Sequence, residues 1–362
     1  MTLQLPEFPW DSLEPFALQA KAHPEGLVDL SVGSPVDPTP LVAIEALENA
    51  AQAPSYPLTA GSRELRSAMV SWWRTQRNTG ELGLDEVIPS IGSKEMVGLL
   101  PTLLGLGAGD VVVIPEIAYP TYAIGAMVSG ATVVAENNPE HWPVESKLVW
   151  INSPSNPTGE VLGRDYLRTA VSRARSLGAV LASDECYAQL SWDVDQSPSL
   201  LDERVTQGDH TGLLALYSLS KQSNLAGYRA ALVAGGKQLI AELLLARKHM
   251  GLIVPSPIQA VMSAVLADGD HVDTQRERYR HRRSVLATAL RAAGFRIDHS
   301  EAGLYLWVTK GQDAWETVSW FSERGILVAP GLFYGVAGSQ HVRVALTATD
   351  EAVSKAAKRL QA

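Results

Sequence analysis

The chain of 362 residues is 46% hydrophobic and 19% charged, enough for two domains, or one large domain with a subdomain, around a full apolar core. Its formal net charge of −9 offers no phosphate-neutralising surface, which argues against nucleic acid as a partner. One cysteine, Cys186, excludes an intrachain disulfide, argues against a zinc cluster and fits a reducing cytoplasm.

In chain order, the opening "MTLQLPEFPWDSLEPF" lacks a basic start followed by an apolar run, so it does not read as a signal peptide. The proline-rich "DLSVGSPVDPTP" reads as a crossing from a smaller unit into a larger one. Met96 to Pro115 is the most apolar long stretch, but Pro101, four glycines and Asp110 break it into a helix, a turn and a strand. It is not a membrane span. Six short apolar runs follow: Asp110–Pro115, Ala131–Glu136, Lys147–Asn152, Ala179–Glu185, Gly212–Ser218 and Ala230–Gly235. Each is bounded by turn-forming residues, and helical segments such as 164–176 and 237–249 lie between several of them. Continuous apolar strands alternating with helices predict a mostly parallel α/β sheet covered on both faces, with ligands at the strands' carboxyl ends.

After "VPSPIQ" (Val254–Gln259) the texture changes. A long helix, about Asp273 to Ala293, carries "QRERYRHRR" and reads chiefly as a solvated face. A strand near 303–308, a helix near 314–324, a strand around 342–346 and a final helix complete a smaller α+β unit. The expected division is a large domain over 35–255 and a small one made of 1–34 and 256–362.

The chemistry gathers where the strands end: "EIAYPTY", "SPSNPTG", "SDECY" and "SLSK". Taken singly, Asp184 is readable as a helix cap, Asn156 as a turn former, Tyr119 as a core residue and Lys221 as a surface amine. Together they match the needs of pyridoxal phosphate. Lys221 supplies an amine for a Schiff base, and Asp184 a carboxylate beside the pyridine nitrogen. Asn156 and Tyr187 are donors for the phenolate oxygen, and Tyr119 is an aromatic face for the ring. "IGSKEM" precedes an apolar helix, placing Gly92, Ser93 and Lys94 at its positive end, where a phosphate binds; Ser218 and Arg229 flank the lysine and close that cup. Competing signals fail. "GLGAGD" has the wrong spacing and precedes a strand, and the eight histidines lack metal-ligand spacing.

"SLSKQSNLAGYR", "NSPSNPTG" and "SDECY" resemble the signatures of class I aminotransferases, and "YPLTAGSRELRSAM", "VPSPIQA" and "EAGLYLW" extend the likeness over nearly the whole chain. The resemblance implies fold type I: a large domain with a mostly parallel sheet sandwiched by helices, plus a smaller α+β domain. It implies that Lys221 both holds the cofactor and shuttles the proton. It further implies that Arg343 in "HVRVAL" grips the substrate α-carboxylate, and that the backbone of Gly33 lies close by. Tyr56 would reach the phosphate of a neighbouring subunit, so the expected assembly is a cytoplasmic homodimer with shared active sites. The opening segments look most like the N-succinyldiaminopimelate aminotransferases of bacterial lysine synthesis. Another aminotransferase, a carbon–sulfur lyase and a cofactor-sensing regulator domain remain as alternatives, the last needing a basic DNA-binding segment that the sequence does not display.

Overall fold

The computed structural model describes residues 4–192 and 197–361. Residues 1–3, the start of the segment assigned to the smaller unit, lie outside them. The strands are β1 (Val28–Asp29), β2 (Val87–Ile91), β3 (Val111–Ile114), β4 (Thr132–Ala135), β5 (Ser146–Asn152), β6 (Val180–Asp184), β7 (Leu213–Ser218), β8 (Ala230–Gly235), β9 (Arg296–Asp298), β10 (Tyr305–Thr309), β11 (Ile326–Leu327), β12 (Ala329–Pro330) and β13 (Val342–Ala345).

Seven strands form one sheet in the order β2-β8-β7-β6-β5-β3-β4. β3 to β7 pair in parallel, and β8 runs antiparallel to both β7 and β2. Both faces are covered, which is why these strands read as unbroken apolar runs. Val112, Ile114, Leu148 and Trp150 point into one core, against the helix Ser93–Leu103; Val113, Val149, Ile151 and Leu181 point into the other, against Arg63–Arg77 and Arg164–Leu177. This is the period-two alternation of a pleated strand. The edge strand β2 escapes the sequence reading because Pro89 sits inside it, and an edge is where a sheet tolerates proline.

A third core belongs to the four-stranded sheet β12-β13-β10-β9 with the helices Asp270–Ala292, Ala314–Glu323 and Asp350–Leu360. The helix Ser256–Ala267, placed with the smaller unit from the sequence, packs instead on Leu41–Asn49 and Arg63–Arg77, and its Val261, Met262 and Val265 enter the larger unit's core. The arginine-rich helix is also not wholly a solvated face. Arg282 is buried, donating to both carboxylate oxygens of Asp37 (2.6 and 2.7 Å) and to Asp350 (2.6 Å).

Candidate active site

Register brings the chemistry together. Asn152 at the end of β5 pairs with Asp184 at the end of β6, and Ser218 ends β7 beside them. A cavity of about 780 Å³ opens above these strand ends. Ser93, Lys94, Tyr119, Asn156, Asp184, Tyr187, Ser218, Lys221, Arg229, Gly33 and Arg343 all line it. Gly92 lies just beneath the Arg229 guanidinium, where a Cβ would fall 2.2 Å from a guanidinium nitrogen. Tyr56 lies elsewhere, 98% exposed on this chain.

Lys221 sits on a single helical turn, Leu219–Gln222, which Ser218 opens by accepting a hydrogen bond from the Ser220 amide at 3.2 Å. The lysine is half-buried and its Nζ donates to the carbonyl of Gly33, so that glycine's backbone meets the amine directly. Asp184 is buried at the floor. It accepts from the Tyr122 hydroxyl at 3.0 Å and from the Cys186 amide at 3.2 Å. Burial pushes its carboxyl above the ordinary aspartate range, against the pull of those hydrogen bonds and of the Lys221 charge. A buried carboxylate of this kind suits a cationic partner such as a protonated pyridine. Burial and the neighbouring Asp184 hold the Cys186 thiol well above its usual range, so it remains a packed thiol.

At the opposite corner, Gly92 caps the helix Ser93–Leu103 with φ of +73°, a conformation that favours glycine. Ser93 and Lys94, the first residues of that helix, line the cavity beside Arg229, where the leading amides of a helix suit an anion. Arg229 itself holds φ of +54°, a left-handed conformation costing on the order of 1 kcal/mol, which turns the chain into β8. Lys94 lies 5.9 Å from the Tyr119 ring centre.

On the far wall Arg343 donates to Asn156 Oδ1 at 2.9 Å and to the Ser31 carbonyl at 2.6 Å. It is 3% exposed, its Nε has no hydrogen-bond partner, and among the described residues no carboxylate pairs with it. A buried cation held only by neutral acceptors favours an incoming anion. The loop carrying Asn156 is braced by Asn152, whose Oδ1 accepts from the Asn156 amide at 2.7 Å. Its Ser153–Pro154 and Asn156–Pro157 bonds are both cis.

Four contributors escaped the sequence reading. Tyr122 stands one helical turn after Tyr119 in "EIAYPTY" and takes the bond to Asp184, while Tyr119 keeps the cavity wall. Asn152 is the last residue of an apolar strand. Tyr305 lies inside the quoted "EAGLYLW", and residues 5–10, with Trp10 tilted against Phe333, form part of the rim. For the rim nothing local signals proximity, because only the tertiary fold brings it over the sheet.

The aminotransferase class I and II family model matches residues 25–360. The chain is 52% identical to a probable aminotransferase of Mycobacterium tuberculosis, over 99% of this chain and 86% of that protein. It is 51% identical to a 4-dedimethylamino-4-oxo-anhydrotetracycline transaminase of Streptomyces rimosus, over 99% of both. Among solved structures, an aminotransferase of Neisseria meningitidis matches with a TM-score of 0.90 at 30% identity, covering 99% of this chain and 97% of that one. A probable N-succinyldiaminopimelate aminotransferase of Thermus thermophilus matches at 0.88 and 27% identity, covering 98% and 99%. The buried carboxylate, the amine on its helical turn, the helix end beside Arg229 and the carboxylate-free Arg343 fit pyridoxal 5′-phosphate and an anionic substrate together. The chain belongs to the class I and II aminotransferases and is a pyridoxal-phosphate-dependent enzyme of that family.

Proposed function

We propose that the enzyme exchanges an amino group between N-succinyl-LL-2,6-diaminopimelate and 2-oxoglutarate, giving N-succinyl-2-amino-6-oxopimelate and glutamate, in lysine and diaminopimelate synthesis. The observation that carries an α-carboxylate substrate is Arg343, a buried guanidinium with no carboxylate partner among the described residues. A multiply anionic substrate is further supported by the cavity's charge. Lys94, Lys221, Arg229 and Arg343 line it against Glu7 and Asp184, in a chain whose net charge is −9. The likeness to a probable N-succinyldiaminopimelate aminotransferase points the same way.

In this reading bound pyridoxal phosphate supplies the electron sink for the substrate's α-carbanion. Lys221 would hold the cofactor and, once freed by the substrate's amine, carry the proton at the substrate α-carbon. Asp184 holds a proton on the ring nitrogen. Asn156, whose Oδ1 is engaged by Arg343, offers Nδ2 to the phenolate oxygen together with the Tyr187 hydroxyl. Ser93, Lys94, Ser218 and Arg229 hold the phosphate with the backbone at Gly92, and Tyr119 covers the ring. Arg343 orients the carboxylate beside Gly33. Tyr56 serves the site of a second copy, making the working unit a homodimer, and a cytoplasmic location is in keeping with a chain that carries one cysteine.

A second reading has its own support. The rim formed by Leu5, Phe8, Trp10 and Ile124 is apolar, and a relative at 51% identity is named for a polycyclic tetracycline ketone. Assaying the purified enzyme with glutamate and a panel of acceptors separates the two. The succinylated keto acid is expected to give the highest kcat/KM. A polycyclic or aromatic ketone exceeding it tenfold would overturn the substrate assignment and leave the transaminase intact.

A further inference from the structure

Tyr305 on β10 stands where three parts of the site meet. Its hydroxyl is 3.2 Å from the Tyr187 hydroxyl, and the two rings meet edge-on at 5.7 Å. It fills the space over Gly33, where a Cβ would fall 2.0 Å from its oxygen, and the carbonyl of that same glycine accepts from Lys221. The Arg343 guanidinium lies 4.0 Å over its ring centre. Tyr305 is buried and lines the cavity, yet nothing in the roles assigned above uses it.

We propose that Tyr305 is a positioning residue: it donates a hydrogen bond to Tyr187 and so strengthens the bond that Tyr187 gives to the cofactor's phenolate oxygen. The inference rests on the placement of Tyr187 at that oxygen. A hydroxyl carries one proton. Once Tyr187 spends its proton on the phenolate oxygen, only Tyr305 can supply the hydrogen for the 3.2 Å contact between them.

The surroundings favour this direction. The charged and titratable groups facing Tyr305 are Arg343, Lys221, Tyr187 and Cys186, with Tyr279 and Tyr334 on the elements packed around it. Burial raises its hydroxyl, but Arg343 and Lys221 pull it the other way, and the net direction is down. Burial pushes the Tyr187 hydroxyl well above its usual range. The Arg343 guanidinium over the Tyr305 ring polarises the Tyr305 hydroxyl toward giving its hydrogen, and hydrogen bonds in such a chain polarise one another.

The test is spectroscopic. Tyr305→Phe keeps the ring beneath Arg343 and removes only the oxygen. Hydrogen bonding to an anionic oxygen favours the form that has lost its proton. In the purified holoenzyme, the pH midpoint of the bound cofactor's visible absorption change is therefore expected to rise in Tyr305→Phe. The rise should be roughly half a pH unit, the size expected for a fractional weakening of one charge-assisted bond. Tyr187→Phe should raise the midpoint further. A midpoint in Tyr305→Phe within about 0.1 unit of the wild type, or below it, overturns the inference while a shifted Tyr187→Phe keeps the placement of Tyr187. An unmoved Tyr187→Phe overturns that placement and the inference with it. A packing role alone would alter melting temperature without moving the midpoint.

Discussion

Asp184 illustrates a residue whose stability cost and chemical role are one property. Its carboxyl is raised by burial, so ionising it in the cofactor-free chain works against folding. The sign follows. A group whose folded pKa lies above its unfolded value withdraws stability as pH rises from the ordinary aspartate range through the folded value, and the deficit then stays constant. Asp184→Asn removes the charge while its Oδ1 still accepts from the Cys186 amide and its Nδ2 donates to the Tyr122 oxygen, whose hydroxyl can turn. Without cofactor, Asp184→Asn is expected to melt no lower than the wild type at neutral pH, with a margin that closes in acid. With cofactor, turnover should fall on the order of a hundredfold, equivalent to about 2.7 kcal/mol of barrier. Calorimetry of both forms at several pH values, beside steady-state rates, checks this; a cofactor-free variant that melts well below the wild type would refute it. The lysine, the aspartate and the asparagine loop were legible because each follows an apolar strand at a turn, where the residue type itself is unusual. Tyr122 and Tyr305 were not, since an aromatic residue on a buried helix or strand reads as core until its partner is known.

At the scale of elements, continuous apolar runs located six of the seven strands of the large sheet, because burial on both faces writes itself into the sequence as unbroken Val, Ile, Leu and Ala. The exception was β2, interrupted by Pro89. What such runs could not convey is which arginines of a polar helix turn inward. The helix Asp270–Ala292 sends Arg282 under the segment that carries Gly33, where Asp37 also accepts from Gln275 at 2.7 Å. The pair fastens two units through one buried cation, and Asp350 anchors the final helix to it. Removing the guanidinium strands a largely buried carboxylate, so Arg282→Ala is expected to cost about 3 kcal/mol. Urea unfolding should show a lower midpoint with unchanged slope, and the KM for the keto acid should rise as the loop at Gly33 loosens. A loss below about 1 kcal/mol would mean the pair behaves like a surface bridge. The helix Ser256–Ala267 teaches the complementary lesson. Its polar Gln259 accepts from the Ser62 amide at 2.8 Å and donates to the carbonyl of Leu58 at 3.3 Å, tying it to the larger unit through contacts distant in sequence.

For the whole molecule the decisive residue is the one outside its own cavity. Tyr56 is 98% exposed and Leu58 64% exposed, an arrangement that a second copy of the chain would cover. If Tyr56 serves the neighbouring site, the two sites of a homodimer are each built from both subunits, and defects on different residues become separable. Lys221→Ala chains lack the amine at their own site yet still lend an intact Tyr56. Tyr56→Phe chains keep the amine but lend a defective tyrosine. Mixing the two before refolding or co-expressing them gives hybrid dimers in half of random pairings. One of the two sites in each hybrid then has both residues intact, so roughly a quarter of all sites should recover the wild-type turnover. The recovered rate should carry the wild-type KM, because the working site is wild type in both residues. Equilibrium sedimentation checks that the hybrids are dimers. Activity no greater than half that of Tyr56→Phe alone would show that each chain completes its site without its neighbour.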